Sequence, residues 1–388
     1  MQASALERRH QNLRRLYEAA QRAGTPHRFF EDTEEMFKEN RRGLAQEWSI
    51  KRLFEQFVKG GREYINDYCD PRYTNTGGLM EASMAVDTAA FSQLMKQLAF
   101  TMTLDGYKTP DLIGDTLVTT IPTVFNGEKI PGAGRLGDQV EAVNEGNPYP
   151  QATFLEEWVD TPETIKRGLI LDITKEILFF DQTGLVLRRA TQLGQEVAVN
   201  REKRILDVVC GITTVYRRNG GAAEATYQAY NTQSTNALVD YKSIDTLDQK
   251  FNVMTDPTTG EPIAITPNTL LVPKALENTA RRIVNSTLVR QATASGTIET
   301  ETPGSQLNQS FGVVSGQYVR QRTSSDSTYF YGDPKKAFAY MENWPLRVEQ
   351  APANSEASFE RDIVARFKVS ERGAAVVMDP RYMVRSTA

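Results

Sequence analysis

One long amphipathic helix constrains this chain more than any other feature. Either Asp181 or Thr183 can cap its start, apolar residues then recur at helical spacing, and Gly211 ends the pattern just after Cys210. At about 1.5 Å per residue, such a helix is roughly 40 Å long. It is the longest continuous element that the sequence predicts. Its apolar positions are Val186, Ala190, Leu193, Val197, Ile205, Val208 and Val209.

The start of the chain predicts two charged helices. Ser4 and Glu7 have the spacing of a capping box, and Gly24 with Pro26 stops the helix that follows. A second helix is expected over Thr33–Lys59. Dense mixed charge usually marks a solvated face, and a partner-binding arm is the sharper alternative. Because this part has little apolar mass with which to fold alone, we expect it to lie along something else.

Extended segments lie between a third helix and the long one. The third helix is expected over Leu79–Met102, and a Gly- and Pro-rich stretch follows it with a short β-like run at Thr116–Val124. Thr153–Val159 and Ile165–Thr174 then flank the turn sequence Asp160–Glu163, so we predict that they form a hairpin. The hairpin is polar for much of its length and therefore needs a neighbour to lie on.

The second half of the chain predicts a mixture of strands and helices, and hence an α+β protein. Arg218–Asn236 and Ala292–Ser310 have the composition of loops. Pro273 is suited to the first turn of a helix that ends near Val289. Strands are expected at Ala264–Val272, Thr328–Tyr331, Ala337–Met341, Leu346–Glu349, Phe359–Val369, Ala374–Met378 and Tyr382–Arg385.

Composition narrows the classes of protein that the chain can represent. It has 388 residues, a formal charge of −4 and two distant cysteines, Cys69 and Cys210, which we expect to be buried thiols. A mildly acidic chain is poorly suited to tight nucleic-acid binding. We find no apolar stretch of about 18 residues and no secretory segment, and we expect a cytoplasmic protein that crosses no membrane.

Motifs that carry chemistry are weak or missing in the sequence. Gly132–Gly137 fits G-x-G-x-x-G, but Pro131 precedes it and no helix follows, so a flexible hinge is the better interpretation. His10 and His27 are the only histidines, and neither accompanies a nucleophile or metal-ligand motif. We therefore predict no catalytic, cofactor or metal site.

The order of these elements resembles the HK97-like capsid fold of tailed bacteriophages over roughly Leu79 to the C-terminus. Individual stretches resemble particular parts of that family's fold. These parts are the start of the extended loop, the segment that returns from this loop into the spine helix, the charged end of that helix, the strand and helix of the apical lobe, and the last strands. These stretches are Asn147–Phe154, Leu171–Asp181, Arg201–Leu206, Leu270–Leu276, Tyr331–Pro334 and Phe359–Tyr382.

The resemblance implies a major capsid protein, a structural subunit of an icosahedral, DNA-enclosing head and not an enzyme. It implies self-assembly as hexamers and pentamers, with scaffold, portal and decoration proteins as further partners, weak contact with DNA, assembly in the host cytoplasm and a place in the virion. The implied divisions are an N-terminal helical arm at 1–75, the first part of the peripheral domain at 76–141, an extended loop at 142–168, the spine helix and peripheral domain at 169–215, an apical domain at 216–330 and the last peripheral strands at 331–388.

The resemblance also implies candidate contact residues. Charge pairs between subunits are expected from the extended loop. The arm is expected to pack along neighbours, so that a chain without Met1–Asn66 should still fold but should fail to make uniform shells. Some members of the family crosslink a loop lysine to an asparagine, but Asn147 and Asp362 stand at the corresponding positions, and we predict no crosslink. The charge-pair candidates are Glu145, Glu156, Glu157, Lys166 and Arg167.

Three other kinds of protein stay open at this point. An encapsulin-like nanocompartment would use the same fold as a cellular shell. A phage tail or neck protein would form tubes or rings. A soluble enzyme with an unrecognised site would show one concave pocket with convergent titratable groups.

Overall fold

The computed structural model describes residues 5–39, 50–58, 80–108, 112–133, 142–145, 149, 156–174, 185–212, 231–255, 262–285, 288–292, 298–303, 311–351 and 363–388. The chain divides into two compact units. Unit 1 comprises Met1–Pro110, Lys166–Val199 and Leu346–Glu371, and unit 2 comprises Asp111–Ile165, Asn200–Pro345 and Arg372–Ala388. None of the described helices combines the length and apolar character needed to cross a membrane.

Helices dominate the first half of the chain and are interspersed with strands in the second. The described helices are α1 Ala5–Arg22, α2 Pro26–Glu39, α3 Ile50–Phe57, α4 Met80–Tyr107, α5 Gly114–Leu117, α6 Leu185–Cys210, α7 Tyr241–Val253, α8 Glu277–Val284, α9 Gln317–Thr323 and α10 Pro334–Ala337. Short 3-10 turns occur at Lys274–Leu276 and Pro380–Tyr382.

Within the described residues, the strands form two larger sheets and two strand pairs. The order of neighbouring strands is β1-β11-β12-β4 and β5-β13-β10-β6-β9 in the sheets, and the pairs are β2-β3 and β7-β8. The strands are β1 Thr119–Pro122, β2 Lys129–Ala133, β3 Glu156–Asp160, β4 Ile165–Thr174, β5 Thr232–Gln233, β6 Thr269–Pro273, β7 Leu288–Ala292, β8 Ile298–Pro303, β9 Gly312–Gly316, β10 Tyr329–Gly332, β11 Phe338–Gln350, β12 Ile363–Val377 and β13 Met383–Ser386. Helices and strands share the chain, which confirms the predicted α+β class.

Unit 1 is built around one apolar cluster to which the N-terminal helices contribute directly. Tyr17 of α1 contacts Phe29 of α2 edge to face with ring centroids 5.3 Å apart, and Phe54 of α3 contacts Phe91 of α4 in the same way at 5.1 Å. Residues of α4 and α6 complete the cluster. Most of the arm's described apolar side chains are therefore buried in their own chain, although Leu16 is exposed. That the arm also packs along neighbouring subunits stays a prediction.

The helix boundaries at the start of the chain also differ from the prediction. Gly24 has a φ of +70°, the left-handed conformation that ends α1. Pro26 then begins α2, seven residues before the predicted start at Thr33, because proline suits the first turn of a helix as well as its end.

The backbones of α4 and α6 approach closely at two glycines in unit 1. A Cβ atom on Gly106 would clash with the carbonyl oxygen of Thr191, and one on Gly194 would clash with that of Thr103. The missing side chains therefore let the two helices meet backbone to backbone. This contact fixes the first half of the predicted spine helix against α4.

The five-stranded sheet of unit 2 is centred on β10, whose four residues are all buried. Gly332 ends this strand at a φ of +154°, where a Cβ atom would collide with the Tyr382 carbonyl oxygen. Leu270 and Val272 of β6 pack with α7 and α8 on one side, and Leu271 and Phe330 join a second cluster with α6.

Several local predictions are wrong, and each has a physical reason. The predicted hairpin does not form: β3 pairs with β2, whereas β4 is a neighbour of β12. The helix α7 was missed, because its polar residues obscure the buried positions Ile244, Leu247 and Phe251. Part of the predicted loop Ala292–Ser310 is the strand β8, which pairs with β7.

The two C-terminal strands are longer than predicted. Pro345 interrupts the apolar run of β11 in sequence, and the polar residues Ser370 and Glu371 interrupt that of β12, so each strand was predicted as two. Ser370 and Glu371 are buried. Their backbone stays in the sheet, so β12 runs through them without a break.

Candidate subunit contact site

The strand β4 changes character halfway along its length. Its bounds are those predicted from sequence, but every residue of Ile165–Ile170 is exposed, whereas Ile173 is buried in the core of unit 1. A strand with one buried face should alternate between buried and exposed residues. β4 also stands at the end of its sheet order. The first half of β4 therefore presents both faces and, within the described residues, a free edge.

Charged residues cover one face of β4 and its neighbours in unit 1. Arg366 of β12 donates two hydrogen bonds to Asp172, with N···O distances of 2.6 and 2.8 Å. Lys368 of β12 forms an ion pair with Glu349 of β11. The hydrogen bond from Lys368 lowers the pKa of the Glu349 carboxyl, and the nearby charge of Lys166 contributes to the same shift.

The structure places the predicted contact residues apart from one another. Lys166 and Arg167 are exposed on β4, and Glu145 is exposed in a turn before β3. Glu156 and Glu157 lie in β3 with their backbones paired to β2, and their side chains lie outside the described part. Of these residues, Lys166 lies near the opposite charge of Glu349, which belongs to the same chain.

The crosslink positions lie outside the described residues. This applies to Asn147 and Asp362 alike. The absence of a crosslink therefore stays a prediction.

A second candidate surface, which the sequence reasoning missed, is the tip loop, residues 123–128 between β1 and β2. Asn343 donates to the backbone oxygens of Thr123 and Phe125, at 3.1 and 3.0 Å. Asn126 Oδ1 accepts hydrogen bonds from the backbone N–H and the hydroxyl of Thr164, both at 3.1 Å. The side-chain amide of Asn343 therefore holds the backbone of the loop, and the side-chain amide of Asn126 ties the loop to Thr164, so the loop is fixed on two sides.

The tip loop presents two apolar side chains to solvent. Val124 is 87% exposed and Phe125 is 61% exposed. Gly127 follows at a φ of +81°, the left-handed conformation that glycine adopts readily, and the chain bends over residues 124–127. The dipeptide Asn126-Gly127 after an apolar run was the sequence signal that could have identified the loop.

Two charged residues near the end of the spine helix, Arg201 and Glu202, are buried in unit 2. Arg201 binds Asp115 and Glu342, each at 3.0 Å, and its guanidinium lies 4.2 Å from the centre of the Tyr340 ring. Such a shared set of partners rigidifies the strand and helix that carry them.

The neighbouring Glu202 accepts hydrogen bonds from the backbone N–H groups of Ile113 and Gly114, at 3.2 and 2.5 Å. Burial raises the pKa of its carboxyl, and the two backbone donors oppose that shift. Glu202 therefore holds the start of α5 against the spine helix.

The described residues hold no cluster of His, Cys, Asp and Glu side chains suited to a metal ion. Cys210 is buried as predicted, and burial raises the pKa of its thiol to about 12. Cys69 lies outside the described residues.

An exposed edge strand and a fixed apolar loop are features of a structural protein that contacts other chains. The chain belongs to the phage capsid protein family, since the model of the family described as "Phage capsid protein" matches residues 156–386, more than half of the sequence. Its function is therefore structural and not enzymatic, and its place is the capsid of a virion. A comparison with curated protein sequences finds no match.

Several solved structures resemble the chain at low sequence identity. A structure from Mycobacterium phage Bobi is 12% identical and covers 71% of this chain and 90% of its own, with a TM-score of 0.44. The capsid structure of cyanophage P-SCSP1u is 11% identical and covers 71% and 88%, with a TM-score of 0.46. A virus-like particle from Pyrococcus furiosus is 9% identical and covers 75% and 98%, with a TM-score of 0.42.

Proposed function

We propose that this chain is the major capsid protein of a tailed phage and that it has the HK97-like capsid fold. Copies of it assemble as hexamers and pentamers into an icosahedral head that encloses double-stranded DNA. The observation that supports this most is the extent of the family match, which runs from β3 through the spine helix to β13.

The proposed lobes follow the division drawn from the sequence. Residues 216–330 form the apical domain, and residues 76–141, 169–215 and 331–388 form the peripheral domain. We keep the extended loop at residues 142–168, and its strand β3 pairs antiparallel with β2. Such a loop in the proposed shell lies on a neighbouring subunit.

The proposed shell is held by many moderate contacts and not by covalent bonds. Glu145, Glu156, Glu157, Lys166 and Arg167 remain candidates for charge pairs between subunits, each contributing about 0–1 kcal/mol. A closed shell repeats every such contact. Denaturing gel electrophoresis of assembled particles should give a single band at the monomer mass of 43.5 kDa, and a ladder of multimers would contradict this.

Scaffold, portal and decoration proteins and weakly held DNA are the further partners that we propose, with assembly in the host cytoplasm. The formal charge of −4 supports loose contact with DNA, because tight binding needs clustered Lys and Arg to neutralise phosphates.

Negative-stain electron microscopy of the chain expressed alone, with sedimentation for large species, tests the proposal. Uniform hollow spheres are expected, and DNA inside particles from infected cells distinguishes a virus from a cellular compartment. If the chain alone stays a small oligomer, the cognate scaffold is added. Rings, tubes or no particles with scaffold would overturn the proposal.

A further inference from the structure

The tip loop exposes apolar surface that is fixed in place. Besides the amides of Asn126 and Asn343, the Thr123 hydroxyl accepts from the backbone N–H of Phe125 at 3.1 Å and donates to Glu128 at 3.0 Å. Thr161 bonds the backbone of Glu128 on both its N–H and its carbonyl, each at 2.8 Å. Val124 and Phe125 are therefore held in solvent by the structure around them.

The shape of this surface indicates the kind of partner. Small molecules bind in concave sites that bury most of their surface, whereas the tip loop is convex. Anchor residues of protein–protein contacts are often apolar side chains that project from a rigid backbone and insert into the partner's surface. Val124 and Phe125 have this arrangement.

The exposed half of β4, Ile165–Ile170, offers a matching surface. Leu169 lies on the face of β4 that Leu171 and Ile173 turn toward the core, yet it is 47% exposed. An apolar side chain that is half exposed on the core-facing side, at a sheet edge, is a surface that a partner can cover.

The charges around the two surfaces are complementary. Glu128 and Glu163 flank the tip loop, and the two cations beside it are engaged within their own chain. Lys129 lies over the Trp158 ring, 4.6 Å from its centre, and Arg372 donates to Thr164 and Asn126 at 3.0 Å each. Lys166 and Arg167 flank Leu169 on the exposed half of β4. Opposite charges at the rim of an apolar contact favour this pairing and fix its orientation.

We propose that the tip loop of one subunit seats Val124 and Phe125 on the exposed half of β4 of a second copy. The inference rests on the proposed function, because a shell subunit presents both surfaces in equal number on every copy. The contact joins two different surfaces and therefore links copies head to tail, as rings and shells require.

The direct test is a crosslink between two different variants. Val124→Cys and Leu169→Cys are made separately in a Cys69→Ser background, mixed, assembled and treated with a short bis-maleimide. A dimer band is expected from the mixture and from neither variant alone. Val253→Cys mixed with Leu169→Cys is the control, since Val253 is 67% exposed in the same unit as the tip loop.

The second measurement is the concentration at which particles form. The pair Val124→Ser and Phe125→Ser should raise it about tenfold or more, because the anchor loses its apolar burial. The matched pair Val239→Ser and Val253→Ser should leave it unchanged. Circular dichroism checks that both double variants fold. If the Val124→Ser and Phe125→Ser variant does not fold, the crosslink between Val124→Cys and Leu169→Cys tests the contact instead.

The outcomes separate this inference from the proposed function. Particles from the wild type with no crosslink in the Val124→Cys and Leu169→Cys mixture would overturn the tip contact and leave the proposed function standing. No particles from the wild type, even with scaffold, would overturn both.

Discussion

The burial of Phe37 gives a sharp test of whether the N-terminal helices belong to the core of unit 1. Phe37 of α2 has no exposed surface and lies in the same cluster as Phe91 and Leu94 of α4. Replacing a fully buried phenylalanine by alanine typically costs about 3–5 kcal/mol, from lost burial and the cavity left behind. Phe37→Ala should therefore destabilise unit 1 by about 4 kcal/mol, a large share of an ordinary domain's stability.

Leu16→Ala is the matched control, because Leu16 lies in α1 but is 58% exposed. Exposed substitutions of this kind usually change stability by about 0.5 kcal/mol or less. Urea unfolding of dilute subunits gives the overall change, and hydrogen exchange of peptides from α4 reports on unit 1 alone. If Phe37→Ala shifts neither measurement more than Leu16→Ala does, the N-terminal helices are not part of that core.

Three further predictions test other parts of the structure. Gly194→Ala should destabilise the chain by roughly 2 kcal/mol in urea unfolding, because the added Cβ atom would collide with the backbone of α4. Gly312→Ala should be near neutral, because the nearest atom to its added Cβ lies 3.9 Å away. Equal effects of the two substitutions would refute the close contact between α4 and α6. The pKa of Glu277 is lowered to about 2 by hydrogen bonds from Lys274 and Ser315, so its ionised form stabilises the fold above about pH 4.5 and that contribution is lost as pH falls toward 2. Glu277→Gln should therefore cost about 1 kcal/mol at pH 7 and progressively less below pH 4.5, and a cost that is independent of pH would contradict the ion pairs. Because burial raises the pKa of Cys210 to about 12, its thiol in a Cys69→Ser chain should react with a disulfide reagent only on unfolding, and rapid reaction of the folded chain would show that it is accessible.

Elements with strong periodicity could be predicted from the sequence, and elements defined by tertiary context could not. The spine helix and β4 occur where the pattern predicted them, because apolar spacing and turn residues mark them locally. The pairing of β4 was predicted wrongly, since the turn Asp160–Glu163 is compatible with a hairpin and only the partner strands decide otherwise. The sequence of a strand does not by itself identify the strand with which it pairs.

The contact surfaces illustrate the same limit at the level of the site. Lys166 and Arg167 were found from their charge, which is visible in one sequence. Val124 and Phe125 were not, because their sequence is that of a strand end and they become an exposed pair only through the amide of Asn343, more than 200 positions away.

The packing of the N-terminal helices changes what a truncation should do. The arm was expected to be dispensable for folding because it has little apolar mass, yet a few aromatic residues decide its place. Removing Met1–Asn66 would take away Phe37, Phe54 and Phe57 and uncover Phe91, Leu94 and Leu98 of α4. A truncated chain should therefore aggregate or unfold in unit 1 rather than fold and assemble irregularly. Sedimentation and hydrogen exchange of the truncated chain decide between these results, and a soluble subunit with protected α4 amides would restore the role of an assembly arm.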